Sequence, residues 1–150
     1  MIFEGIPKLN RTPLIAIDGS IFAKSFINEC IDDSGLIPGK NEAYGPFQWT
    51  LMQDGATSHT AQVTMDYLKD YCHVLEGWPS NSPDLNPIEN LWSILKRKVD
   101  DLNPKTEKEL VDYIFNIWDN LEVSLIDKLI TSVPSRLQAV IDSNGYPTKY

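Results

Sequence analysis

Asp54 and Glu89 stand 35 positions apart, in surroundings that suit metal-dependent chemistry. Cutting a phosphodiester with two divalent cations requires carboxylates on a rigid frame. They must hold two hard cations about 3.5–4 Å apart, astride the scissile phosphate. An Asp at the end of a buried strand and an acid on a packed helix would supply such ligands. Asp54 follows the apolar run 49–52, where the chain would leave a sheet. The C-terminal edge of parallel strands is where α/β sheets place their sites. Asp54-Gly55 is also an ordinary turn pair. Glu89 has an equally plain alternative. Asn86 reads as an N-cap, Pro87 as the first helical residue and Glu89 as the third, which is the layout of a capping box. Local pattern leaves both readings open for each acid.

The elements that must position them follow from periodicity. Residues 1–6 and 13–17 are short apolar runs around a turn-like break, which predicts a β-hairpin ending near Asp18. Residues 21–31 carry Phe22, Phe26, Ile27, Cys30 and Ile31 at helical spacing. The Gly-, Pro- and Asn-rich stretch 34–46 reads as a loop. A strand is expected over 49–53, then a helix with Thr57, Ser58 or Thr60 as N-cap and Ala61, Met65, Leu68 and Cys72 on one face. A brief strand is expected over 73–75 and a loop with three prolines over 77–87. Beyond residue 88 the chain reads as wholly helical. Ile88, Leu91, Trp92, Leu95 and Val99 form one stripe. Thr106 and Glu109 form a capping box, followed by Leu110, Ile114, Ile117, Trp118 and Leu121 facing inward. Two more helices are expected over 125–133 and 137–141, separated by Pro134 and ended by Gly145. Strands alternating with helices and then giving way to helices predict an α/β layer with a helical cover.

Bulk properties narrow the class. One hundred and fifty residues suit one domain, and 42% hydrophobic with 23% charged residues is an ordinary globular balance. No apolar run is long enough to span a bilayer, and the first residues lack a signal-peptide layout, so no membrane partner is expected. Cys30 and Cys72 are far apart and outside any CxxC pair, so they read as free, half-buried thiols. A net charge of -8 argues against gripping DNA by global electrostatics. A local basic patch, a separate module or bound cations would have to offset it.

Two longer motifs carry more information. Gln53-Asp54-Gly55-Ala56-Thr57-Ser58-His59-Thr60 resembles the second-Asp motif of Tc1/mariner transposases. Trp78-Pro79-Ser80-Asn81-Ser82-Pro83-Asp84-Leu85-Asn86-Pro87-Ile88-Glu89-Asn90-Leu91-Trp92 resembles their third-acid motif almost letter for letter. Residues 55–88 separate the two acids, 34 positions, the spacing that this family uses when its last acid is Glu. The resemblance covers residues 1–100 clearly and 101–150 as a helical tail of the same domain. It implies an RNase H-like fold, a mixed sheet flanked by helices. It implies that Asp54 and Glu89 bind Mg²⁺, with Mn²⁺ as a substitute, and that the activity is DNA nicking at transposon ends followed by strand transfer. DNA and a second copy of the chain are the implied partners, and the nucleus the implied location. The alternative is a non-catalytic module, derived from such an enzyme, that contacts DNA or another subunit.

Weaker expectations attach to neighbouring residues. His59 would orient a phosphate or the metal shell, or else pack near the helix start. Lys96, Arg97 and Lys98 form a compact basic cluster that would touch a phosphate backbone, or else serve as a solvated helix end. Trp78 and Trp92 read as core, and Asp84 as a turn residue. The resemblance also implies a first acid, on a central strand upstream of the hairpin. The chain is therefore expected to begin after that strand and after any helix-turn-helix region, as a truncated copy or gene fragment with unpaired inner strand edges and little independent catalysis. Asp18 ends an apolar run and could be nominated instead, but the resemblance places it on an edge strand.

Overall fold

The computed structural model describes residues 2–3, 5–6, 12–79, 82–146 and 148–150. Contacts divide the chain into two units. The first comprises Met1–Gly5 and Thr12–Asn81, the second Ile6–Arg11 and Ser82–Tyr150.

In the first unit, β1 (Ile2–Phe3) pairs antiparallel with β2 (Ile15–Ala16), Ile2 opposite Ala16. The expected hairpin is present, and its turn lies outside the described residues. Helix α1 (Ala23–Ser25) runs into a π-helical segment, Phe26–Asp32. Its wider turn buries Phe26, Ile27, Cys30 and Ile31. The stretch read as a loop instead contains α2 (Leu36–Tyr44). Pro38 is third in that helix, where its missing N–H is not needed, and Gly35 before it takes φ 66. Ser34 Oγ donates to Ile31 O and accepts from Leu36 N, joining the two helical segments. Leu36 and Ile37 are then buried, and burial outweighs the weak helix propensity of Pro and Gly.

Trp49 Nε1 donates to Asn41 Oδ1 at 2.9 Å, tying β3 (Thr50–Leu51) to α2. A short α3 (Thr57–Thr60) and α4 (Gln62–Lys69) cross over to β4 (His73–Val74). β3 and β4 are parallel, Thr50 opposite His73, and Leu75 N donates to Leu51 O to extend the ladder. A parallel pair needs such a crossover. None of Thr57, Ser58 and Thr60 caps a helix; the N-cap positions are Ala56 and Ala61. Thr60 Oγ1 donates back to Ala56 O, and buried Thr64 Oγ1 donates to Ser58 O, stitching α3 to α4. Tyr67 OH donates to Asp32 Oδ1 at 2.5 Å, fastening α4 to the π-helical segment. Among the described residues, ladder bonds join strands within each pair and none joins the two pairs, so the expected mixed sheet is present as two separate ribbons. The core gathers Ile17, Phe26, Cys30, Ile31, Leu68 and Cys72. Both thiols are free and fully buried, not half-buried. Burial, with Glu29 adding to it, pushes Cys30 up to about 12, and burial pushes Cys72 up to about 11.

The second unit is helical: α5 (Pro87–Leu102), α6 (Glu107–Asp119), α7 (Val123–Thr131) and α8 (Val133–Asp142). Leu91, Leu95 and Val99 bury one stripe of α5, while Ile88 and Trp92 at its margins are half-buried. Trp78 in the first unit is also half-buried; the fully buried tryptophan is Trp118. The expected box at α6 forms with a shifted partner. Glu109 N donates to Thr106 Oγ1, but the Glu109 carboxylate accepts from Lys105 N. Leu110, expected inside, is exposed because the inward face of α6 takes hold only near its C-terminal end, at Trp118. Pro134 lies in the first turn of α8, which explains why that helix begins earlier than its apolar pattern indicates. Among the described residues, no helix is long and apolar enough to cross a membrane.

Candidate active site

Asp54 sits three residues past the end of β3, on the C-terminal side of the parallel pair. Its Oδ1 accepts from Ala56 N at 3.0 Å, a local turn that starts α3. The same oxygen lies 2.6 Å from His59 Nδ1. An ionised carboxylate only accepts, so this contact requires the hydrogen on Nδ1. The His59 ring also packs on Phe26, centroids 4.2 Å apart, so the π-helical segment supports it from below. Gln53 Nε2 donates to His59 O at 3.1 Å, closing the corner from the other side. Asp54 nevertheless keeps 55% of its side chain exposed, against 19% for His59. A concavity of about 350 Å³ opens here, bordered by Gln53, Asp54, Thr60, Glu76 and Trp78. Buried Gln53 Oε1 has no hydrogen-bond partner among the described residues.

Glu89 lies in the second unit, in the first turn of α5. Asn86 Oδ1 accepts from Ile88 N at 3.3 Å and Pro87 is the first helical residue, so the helix start is as the sequence indicates. The capping box is not closed: Asn86 N donates to Ser82 O instead of to the Glu89 carboxylate. Glu89 is exposed, and an anion in the first turn of a helix is favoured by the helix dipole. Ser93 and Lys96 follow on the same solvent face, one and two turns on. Lys96 Nζ is 3.1 Å from Asp100 Oδ2, so its charge is shared along the helix, while Arg97 and Lys98 are exposed beside it.

Asp18 is exposed and follows β2 of the antiparallel ribbon, apart from the β3–β4 ladder that carries Asp54. Asp84 belongs to a turn in which Ser82 O accepts from both Leu85 N and Asn86 N. Among the described residues, no three His, Cys, Asp or Glu side chains gather as a metal-holding group. Arg136 escapes a reading from sequence: it is a buried cation of the second unit, within an unremarked stretch of α8, and it bonds the Asp84 carbonyl.

Residues 7–111 match the DDE superfamily endonuclease family. The chain is 35% identical to the Tcb2 transposase of Caenorhabditis briggsae over 150 residues, all of this chain and 54% of that protein. It is 42% identical to the Tc1 transposase of Caenorhabditis elegans over 103 residues, 68% of this chain and 37% of that protein. The chain thus spans about half or less of the length of these relatives. The Mos1 transposase catalytic domain, solved with raltegravir and Mn, superposes with a TM-score of 0.76 at 17% identity, over 99% of this chain and 84% of that one. The same domain has been solved with Mg, and the likeness there gives a TM-score of 0.74. That likeness establishes the RNase H-like fold expected from the motifs. With the endonuclease match running through both motifs, and Tc1-type relatives aligned over most or all of its length, the chain belongs to the DDE superfamily of endonucleases, among the Tc1/mariner transposases.

Proposed function

We propose that this chain is the part of a Tc1/mariner transposase that carries two of its catalytic acids, Asp54 and Glu89, and that the protein nicks DNA at transposon ends and transfers the freed strand. One observation supports this above the others. Asp54 stands at a strand end with Oδ1 fixed by Ala56 N and His59, which leaves Oδ2 for a cation. The donor chemistry fits a hard divalent ion: both acids are exposed carboxylates, hard oxygen donors. Mg²⁺ is the proposed ion, with Mn²⁺ as its substitute, held by Asp54 and Glu89. When bound, it would activate the attacking oxygen and stabilise the leaving one. His59 orients the Asp54 carboxylate through Nδ1. Arg97 and Lys98, with Lys96 behind its Asp100 partner, would take DNA phosphates and offset the net charge of -8 locally. Transposon-end and target DNA, a second copy of the chain and a nuclear location complete the proposal.

The test is Mg²⁺-dependent nicking of supercoiled DNA bearing transposon ends by the full chain. Nicking by wild type should fall at least about a hundredfold in each of Asp54→Asn and Glu89→Gln, as loss of a transition-state charge stabiliser does. Nicking that survives Glu89→Gln would remove Glu89 from the catalytic site, and DNA binding by wild type with no nicking would leave a module that only binds.

A further inference from the structure

Arg136 is a buried cation that forms no salt bridge among the described residues, with the Asp84 carboxylate near enough to favour its charge. Its side chain is 2% exposed. Nε donates to Ser132 Oγ at 2.7 Å, one turn back on the same chain segment, and Nη1 donates to Asp84 O at 2.9 Å. The guanidinium also stacks over the Tyr150 ring, 4.7 Å from its centroid. A charge taken out of water in this way is costly unless its donors are used. Burial lowers its pKa, opposed by Tyr150 and Asp84.

What it holds matters more than what it costs. The Asp84 carbonyl belongs to the turn that delivers the chain into α5. In that turn Leu85 is buried, and Leu85 N and Asn86 N both donate to Ser82 O. Asn86 then caps α5, and Glu89 lies in its first turn. A second tie reaches the same residue: Thr148 Oγ1 donates to Asp84 Oδ2 at 3.2 Å, and Tyr150 N donates to Thr148 Oγ1. Arg136 and Thr148 thus converge on Asp84 from 52 and 64 positions away.

We infer that Arg136 is a positioning residue for Glu89, fixing the turn at Asp84 and through it the first turn of α5. This rests on the reading of Glu89 as a cation ligand. A ligand on a helix start is only as well placed as that start, and residues that orient a metal ligand from behind are worth about 10–100-fold in affinity. Lysine cannot replace the planar fork that reaches Asp84 O and Ser132 Oγ together.

The experiment uses the full chain as wild type, Arg136→Met, Arg136→Lys, Thr148→Val and Glu89→Gln. Mn²⁺ binding is read by electron paramagnetic resonance, and backbone hydrogen exchange over residues 84–90 is read in the same samples. Arg136→Met should weaken Mn²⁺ binding about tenfold and speed exchange over 84–90 while α6 keeps its protection. Arg136→Lys should recover part of both, and Thr148→Val should give a smaller loss of the same kind. Unchanged exchange over 84–90 in Arg136→Met, or an equal loss of protection throughout α5–α8, would overturn the inference. If Arg136→Met fails to fold, Thr148→Val and Arg136→Lys decide by the same two readouts. Glu89→Gln tests the underlying reading separately. Unaltered Mn²⁺ binding in that variant removes Glu89 as a ligand, whatever the exchange data say of Arg136.

Discussion

The Asp54 carboxylate is held by its own neighbours, Ala56 N and His59, both within five positions of it. The Glu89 carboxylate is unclaimed by its capping position, and the turn before its helix is held by Arg136 and Thr148, more than fifty positions away. The first arrangement is a rigid corner on a strand end. The second is a helix whose start is set by the packing and polar ties of a whole helical unit. Two acids proposed for one task therefore depend on different parts of the chain. Damage to the first should be local, and damage to the second should arrive from a distance.

The hardest blow to the second arrangement is a cavity under α5. Leu91 is fully buried two residues from Glu89, so Leu91→Ala should cost about 2–5 kcal/mol, measured by urea denaturation followed by circular dichroism. Leu68→Ala, on the buried face of the first unit's α4, should cost about as much in the same test. A loss below about 1 kcal/mol at either site would mean that the local ties carry the structure and packing does not.

Alkaline pH should strike the first unit through its two buried thiols. Each has an ordinary value of 9.0, raised to about 12 for Cys30 and about 11 for Cys72. The folded state thus keeps protons that the unfolded chain releases. Stability from this source is intact below about 9 and is lost as pH rises through the folded values. Between pH 8 and 10 the loss should be about 1.3 kcal/mol for each thiol, roughly 2.5 kcal/mol together, in urea titrations, and most of it should disappear in a Cys30→Ala, Cys72→Ala double variant. Neither thiol should react with a thiol reagent at pH 8 until the chain is unfolded. Rapid native labelling would contradict their burial.

A smaller effect tests the capping of α5. Asn86→Ala removes the acceptor for Ile88 N and should cost about 1 kcal/mol by urea denaturation. If Arg136 and Thr148 also hold this start, hydrogen exchange at Ile88 and Glu89 should rise more when Asn86→Ala is combined with Thr148→Val than the two single changes predict. Strict additivity would show that cap and tether act independently.

The same contrast explains what could be read from the sequence. The Asp54 corner was legible because a strand end, an Asp-Gly pair and a following helix are all encoded within ten residues. The start of α5 was legible from Asn86-Pro87 for the same reason. Thr57, Ser58 and Thr60 look like caps, but α3 already begins at Thr57, so all three lie inside it, and Thr60 bonds back to a carbonyl. Helix α2 was hidden because Pro38 and Gly39 look like breakers; only the burial of Leu36 and Ile37 shows why a helix forms there. Arg136 gave no local sign at all, since its partners are set by tertiary contact. Long-range ties such as this are written in the sequence only as ordinary residues.

The smallest effect is at the Asp54 corner itself, and it asks where one hydrogen lies. At 2.6 Å from an acceptor-only carboxylate, His59 Nδ1 must carry the hydrogen whether the ring is neutral or cationic. Long-range ¹⁵N–¹H spectra should therefore show the hydrogen on Nδ1. His59→Ala should cost less than about 1 kcal/mol, because Asp54 is more than half exposed and such pairs are weak. Ala56 N would still hold Oδ1, so the corner should survive while its carboxylate gains freedom to rotate. A bare Nδ1 would reverse the argument. The proton would then sit on Asp54, and a neutral acid donating to its neighbour would be a poor first ligand for a divalent ion.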